Sequence, residues 1–173
     1  MGRENTTVRA TISDLCYSYR LDEQWLFKCA YLLLDSYRKL CYTCYLDNDE
    51  CEESEYSEKN PSAAIDFLEN MTTDMDQKVF VRSIRDRADK NWIKDIVESA
   101  MIKVQEFPEY GKLYYEVLNK RFVVQWGYSE PEIYNTLCIE RSRYYDRRRE
   151  AVTIFGLCLW GSVIPNLRKE LGI

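Results

Sequence analysis

The sequence predicts an all-α protein, and three observations carry that expectation. Glycine and proline number only 6 and 4 in 173 residues, too few for the frequent turns of a β fold. Apolar residues recur at steps of three and four over long stretches, the period of a buried helix face. Hydrophobic residues make up 46% of the chain, enough to fill a core beneath such faces.

Helical periodicity begins at Ser13 and runs to about Tyr45, with Leu26, Ala30, Leu33, Tyr37, Leu40 and Cys44 on one stripe. Sustained charge pairing beside that stripe is lacking, so it reads as one helix of a bundle rather than a coiled-coil seam. The stretch LDNDECEESEYSEKN, residues 46–60, then brings seven acidic residues and one lysine. Charge of one sign at that density is expected to form a solvated linker. Asn60-Pro61-Ser62 is a helix start signal. Helical patterns follow at about 62–71, 73–88 and 90–106, the last with Trp92, Ile93, Ile96, Val97, Ala100 and Val104 on its apolar face. Phe107-Pro108-Glu109-Tyr110-Gly111 breaks the pattern. A soft boundary there divides the chain into residues 1–108, a helical domain for assembly or partner contact, and residues 109–173.

The second part is shorter in its elements. A helix from about Leu113 to Val124 presents Leu113, Tyr114, Val117, Leu118 and Phe122 to a core, and Gly127-Tyr128 ends it. Ser129-Glu130-Pro131-Glu132 is a capping box: the serine accepts from the third N–H of the next helix, and Glu132 reaches back. A helix of barely two turns runs to Leu137. A turn with Cys138 and Ile139 follows, and then a long helix to about Trp160. That helix carries Arg141, Arg143, Arg147, Arg148 and Arg149, five arginines within nine positions. Its inward stripe is expected to hold Tyr144, Ala151, Phe155 and Cys158, with Arg147 or Arg148 along the edge. The opposite face then shows Arg141, Ser142, Arg143, Tyr145, Asp146 and Arg149.

The formal charge of −5 does not argue against an anionic partner. Outside the acidic stretch the chain has 23 basic and 22 acidic groups, so position matters more than total. Histidine is absent, which removes the commonest general base and the Ser-His and Cys-His nucleophile pairs. No enzyme activity and no cofactor are expected. Cys41-x-x-Cys44 with Cys51 invites a zinc reading, but the cysteines of the pair sit on a helical stripe and a fourth ligand is not evident. No metal site is assigned. Ala151 to Ile164 is the most apolar run, shorter than the ~20 residues of a membrane span. MGRENTTVRATISD lacks the apolar core of a signal peptide, so the expected setting is a cytoplasm with reduced thiols.

A short capped helix, a tight turn with a buried aliphatic, and a longer helix with a cationic first half is the helix-turn-helix plan. The first turn of such a second helix reaches base edges in the major groove, where arginine suits guanine. Arg141, Ser142, Arg143 and Tyr145 are therefore the candidate base and adjacent backbone contacts, with Arg148 and Arg149 on phosphate. The apolar tail from Ala151 through Phe155, Leu157, Leu159, Trp160, Val163 and Ile164 either packs on the N-terminal helices or forms a subunit interface. A homodimer is expected, because such units commonly read paired half-sites.

EIYNTLCIERSRYYDRRREAVTIFGLCLWG resembles the C-terminal end of phage-borne ArpU/RinA-type transcriptional regulators. Their pattern is met at Glu132, Ile133, Leu137, Ile139, Arg141, Ser142, Tyr144, Tyr145, Arg148, Arg149, Glu150 and Ala151, and the resemblance covers about the last 60 residues. It departs at Glu140, where a serine usually caps the helix, at Arg143 for a threonine, and at Asp146 for a basic residue. The resemblance implies a helix-turn-helix similar to the fourth region of bacterial sigma factors. It further implies control of late prophage genes in a Gram-positive host through double-stranded DNA, and a contact with RNA polymerase. Two other readings stay open: a phage small terminase subunit, and an adaptor that uses the same helix against proteins.

Overall fold

The computed structural model describes residues 2–42 and 59–173, and among them every regular element is helical. In chain order these are α1 (Gly2–Tyr19), α2 (Glu23–Cys41), α3 (Pro61–Glu69), α4 (Gln77–Arg87), α5 (Lys90–Gln105), α6 (Gly111–Leu118), α7 (Glu130–Thr136), α8 (Arg141–Cys158) and α9 (Ile164–Leu171). Most of the acidic stretch lies outside the described residues, as do Cys44 and Cys51.

Local chemistry sets most of the starts. Asp22, Asp76 and Asp89 accept from backbone N–H groups of the first turns of α2, α4 and α5, and Asn60 does the same for α3 ahead of Pro61. These caps correct two expectations. The single helix expected from Ser13 to Tyr45 is two, because the chain turns at Arg20 with φ 56° and restarts at the Asp22 cap. The helix expected from 73 begins only at Gln77, after its own cap.

Two helices end or continue through a π-helical turn. The helix expected to reach Val124 is α6 followed by such a turn at Asn119–Val123. The arginine-bearing helix does not stop at Trp160: a π-helical turn at Leu159–Val163 carries it on into α9. The run Arg141–Leu171 is thus long and apolar enough to cross a membrane by length and composition, yet 67% of its most apolar window is buried inside the protein.

That burial answers the question left by the apolar tail. Ala151, Val152, Ile154, Phe155, Leu157, Leu159, Trp160, Val163 and Ile164 share one core with Val8 and Ile12 of α1, Leu26 to Leu40 of α2, and Ile93 to Val104 of α5. Residues from both sides of the expected boundary at 108 belong to this core. The second half of α8 is its central strut, apolar on every side because neighbours cover every side. Two tryptophans bond around α3: the Trp160 indole, in the π-helical turn after α8, donates to Leu68 O of α3 at 3.0 Å, and Trp25 of α2 donates to Met71 O just beyond α3 at 2.7 Å. Their rings meet edge to face at 5.1 Å. Gly156 lets α8 approach α2 closely, since a Cβ there would sit 3.3 Å from the Leu26 carbonyl and the Ala30 methyl.

Candidate functional site

The capping box before α7 forms as the sequence implies. Ser129 Oγ accepts from the Glu132 N–H, and the Glu132 carboxylate accepts from the Ser129 N–H at 2.7 Å. That bond holds the Glu132 carboxyl below its usual pKa. α7 ends at Thr136, and Cys138 takes a left-handed conformation with φ 55° before α8 starts at Arg141. A small satellite core of Ile133, Tyr144 and Val117, with Leu137 and Ile139 against it, joins α7 to α8 and α6. Tyr144 is fully buried there, its ring against Tyr134 and Tyr145, and burial pushes its hydroxyl up to about 12. Glu140 occupies the N-cap of α8 in extended conformation and makes no side-chain cap bond. The first N–H groups of α8 therefore have no side-chain partner from their cap.

The five arginines divide into two groups. Arg141 and Arg143 are exposed on the first turn of α8 together with Ser142, and Arg141 stacks loosely on the Tyr145 ring at 5.9 Å. Asp146 and Glu140 are exposed beside them. Of the other three, Arg147 and Arg148 are taken up by the protein and Arg149 stays exposed. Arg147 is buried, not an edge residue: its guanidinium donates to Glu150 at 2.6 Å, lies 4.0 Å from the Tyr110 ring centroid, and shares Glu150 with the Tyr114 hydroxyl at 2.7 Å. Burial works against its charge, but the Glu150 bond outweighs it and raises the Arg147 pKa. Arg149 is exposed, with its guanidinium 4.7 Å from the Phe27 ring centroid. Cys158, expected inward, is half-buried.

Arg148 belongs to a cluster built on Glu130, the first residue of α7. Arg148 Nη1 pairs with Glu130 Oε1, Arg121 Nε approaches the same oxygen at 3.4 Å, and the Tyr145 hydroxyl donates to Oε2 at 2.9 Å. Arg148 also stacks between Tyr145 at 5.2 Å and Tyr31 of α2 at 6.0 Å. Burial alone would raise the Glu130 pKa; the Tyr145 hydroxyl and the two guanidiniums outweigh it and lower it. One carboxylate thus binds α7 to α8 and both to the π-helical turn. The bonds of Tyr145 and Arg148 here are to the protein itself, so of the six candidate residues it is Arg141, Ser142, Arg143 and Arg149 that are exposed.

Three residues without a role in the sequence reading stand out around this unit. Glu130 was hidden inside the capping-box motif, where only Ser129 and Glu132 have a sequence signature. Arg38 of α2 donates to Val124 O at 2.7 Å and to Arg121 O at 2.8 Å, capping the end of the π-helical turn. Nothing in its local sequence marks it, because all its partners lie more than 80 positions away. Trp126, 82% exposed, stands in the segment between that turn and α7. Its one signal is that it falls outside every apolar stripe.

Fold and site together define an all-α bundle in which α7, the turn at 137–140 and the start of α8 pack on α6 through a small core of their own. Comparison with protein-family models, with curated proteins and with solved structures returns no match.

Proposed function

We propose that this chain is a sequence-specific duplex-DNA-binding transcriptional regulator of the phage-borne ArpU/RinA type, acting on late prophage genes as a homodimer. The observation that carries the reading is the first turn of α8. Arg141, Ser142 and Arg143 are exposed on the first turn of a helix that receives no side-chain cap from Glu140, while Glu130, Ile133 and Tyr144 join α7 to α8. A major groove admits such a helix end, its guanidiniums suit guanine O6 and N7, and its N–H groups and dipole suit phosphate. Arg149, one turn and a half further along, is placed for the backbone. Arg148 and Tyr145 act as supports that orient this turn. Contact with RNA polymerase is part of the proposal by resemblance alone.

A second reading, a module that docks on protein, draws on the mixed charge of the face, where Glu140 and Asp146 stand beside Arg141 and Arg143. Selection of duplexes from a random-sequence pool separates the two. The regulator enriches a defined motif and binds it with an affinity that falls linearly in log salt. An adaptor enriches nothing, and that result would reject the DNA reading.

A further inference from the structure

The five residues Val124 to Tyr128 link the π-helical turn to the Ser129 cap of α7, and they are tightly held. Arg38 donates to Val124 O and Arg121 O, and the Tyr128 N–H donates to Lys120 O at 3.2 Å. Lys120 Nζ lies 5.1 Å from the centroid of the Tyr128 ring. Gly127 packs so closely on the Arg38 guanidinium that a Cβ would come within 2.2 Å of Nη2. None of these anchors uses the Trp126 side chain, which remains 82% exposed. A braced backbone that displays its largest apolar side chain to solvent is pre-ordered for a contact elsewhere, because binding then costs little further ordering.

Charge beneath the segment says what kind of partner fits. Arg38, Lys120, Arg121 and, through their shared Glu130, Arg148 outnumber Glu116 and Glu130, the carboxylates that pair with them, and the Arg38 guanidinium donates to the carbonyl oxygens of Val124, Lys120 and Arg121. An exposed aromatic ring flanked in sequence by residues that pack on Arg38 and Lys120 complements a sugar–phosphate strand: the ring covers deoxyribose and the indole N–H can donate to a phosphate oxygen. The segment also runs straight into α7, and the first helix of such a pair crosses the DNA backbone.

We propose that Trp126 is a second DNA contact, lying against the sugar–phosphate strand that flanks the groove entered by α8. This deepens the duplex-DNA reading and rests on it. Its contribution is apolar and so does not release counterions, which separates it from the arginines.

The test uses the full chain and a duplex enriched from a random-sequence pool. Trp126→Ala lowers affinity about tenfold with the slope of log affinity against log salt unchanged, and leaves thermal stability at the parent value. Acrylamide quenching supplies the second readout: Trp160 is buried and Trp25 and Trp92 are half-buried, so the most accessible fluorescence belongs to Trp126. Saturating duplex protects that component in the parent, and Trp126→Phe lacks it from the start. If the parent binds duplex but Trp126→Ala binds equally well, or the accessible component stays quenchable in the complex, the Trp126 contact is refuted and the DNA reading stands. Protection that grows with protein concentration in the absence of DNA would assign the ring to a second copy and overturn the proposal. A parent chain that binds no duplex overturns both.

Discussion

Replacing Glu130 with alanine removes the one carboxylate that gathers Arg121, Tyr145 and Arg148. Two guanidiniums, each about three-quarters buried, and one half-buried hydroxyl then lose their acceptor. Hydrogen bonds to a charged group contribute about 1.5–3 kcal/mol each, but water can reach these partners and recover part of that. The net loss expected is about 2–3 kcal/mol, or roughly 4–12 °C in Tm for a chain of this length. Glu130→Gln still accepts from Tyr145 and should lose less, about 1–2 kcal/mol. The folded-state pKa of Glu130 lies below its ordinary value, so its stabilisation is complete above about pH 4.3 and disappears as pH falls through the folded value. Urea denaturation of parent and variant, followed by far-UV circular dichroism at pH 7 and at pH 3, measures both effects. A loss below 0.5 kcal/mol at pH 7, or a difference that persists undiminished at pH 3, would refute the account of this cluster.

Two further perturbations probe the same helix. Glu150→Ala removes the ion partner of the buried Arg147 and the acceptor of the Tyr114 hydroxyl, and should cost about 3–5 kcal/mol in chemical denaturation. Arg147→Met with Glu150→Leu removes the buried charge, leaves only the Tyr114 hydroxyl without its acceptor, and should cost less, about 1–3 kcal/mol. Glu140→Ser supplies the missing N-cap bond to α8 and should raise stability by about 1 kcal/mol, read as a higher midpoint with an unchanged slope.

How far the sequence revealed this arrangement depends on the range of each interaction. The Ser129 capping box, the Asn60-Pro61 start and the burial of Tyr144, Ala151 and Phe155 are set within one or two helical turns, and all were legible. The break at Arg20 was not, because the apolar stripe of α2 draws the eye and Asp22 is a single-residue signal. The fate of the arginines was the larger miss. Arg147 had a local clue in Glu150, three positions on and on the same face. Arg148 had none, since Glu130 lies 18 positions earlier and reaches it only after α7 folds back. Periodicity alone therefore sorts Arg141, Arg143 and Arg149 outward as the structure has them, and misses the partners that take up Arg147 and Arg148.

Binding of the double variant Arg141→Ala/Arg143→Ala to the selected duplex is the most direct test of the central claim, that this first turn of α8 reads DNA. Both side chains are exposed, so the variant should unfold at the parent temperature. Two arginine contacts at about 1–3 kcal/mol each predict an affinity loss of at least thirtyfold, with sequence preference relaxed at the contacted base pairs. A folded double variant that binds the same duplex with parental affinity and preference would contradict the account.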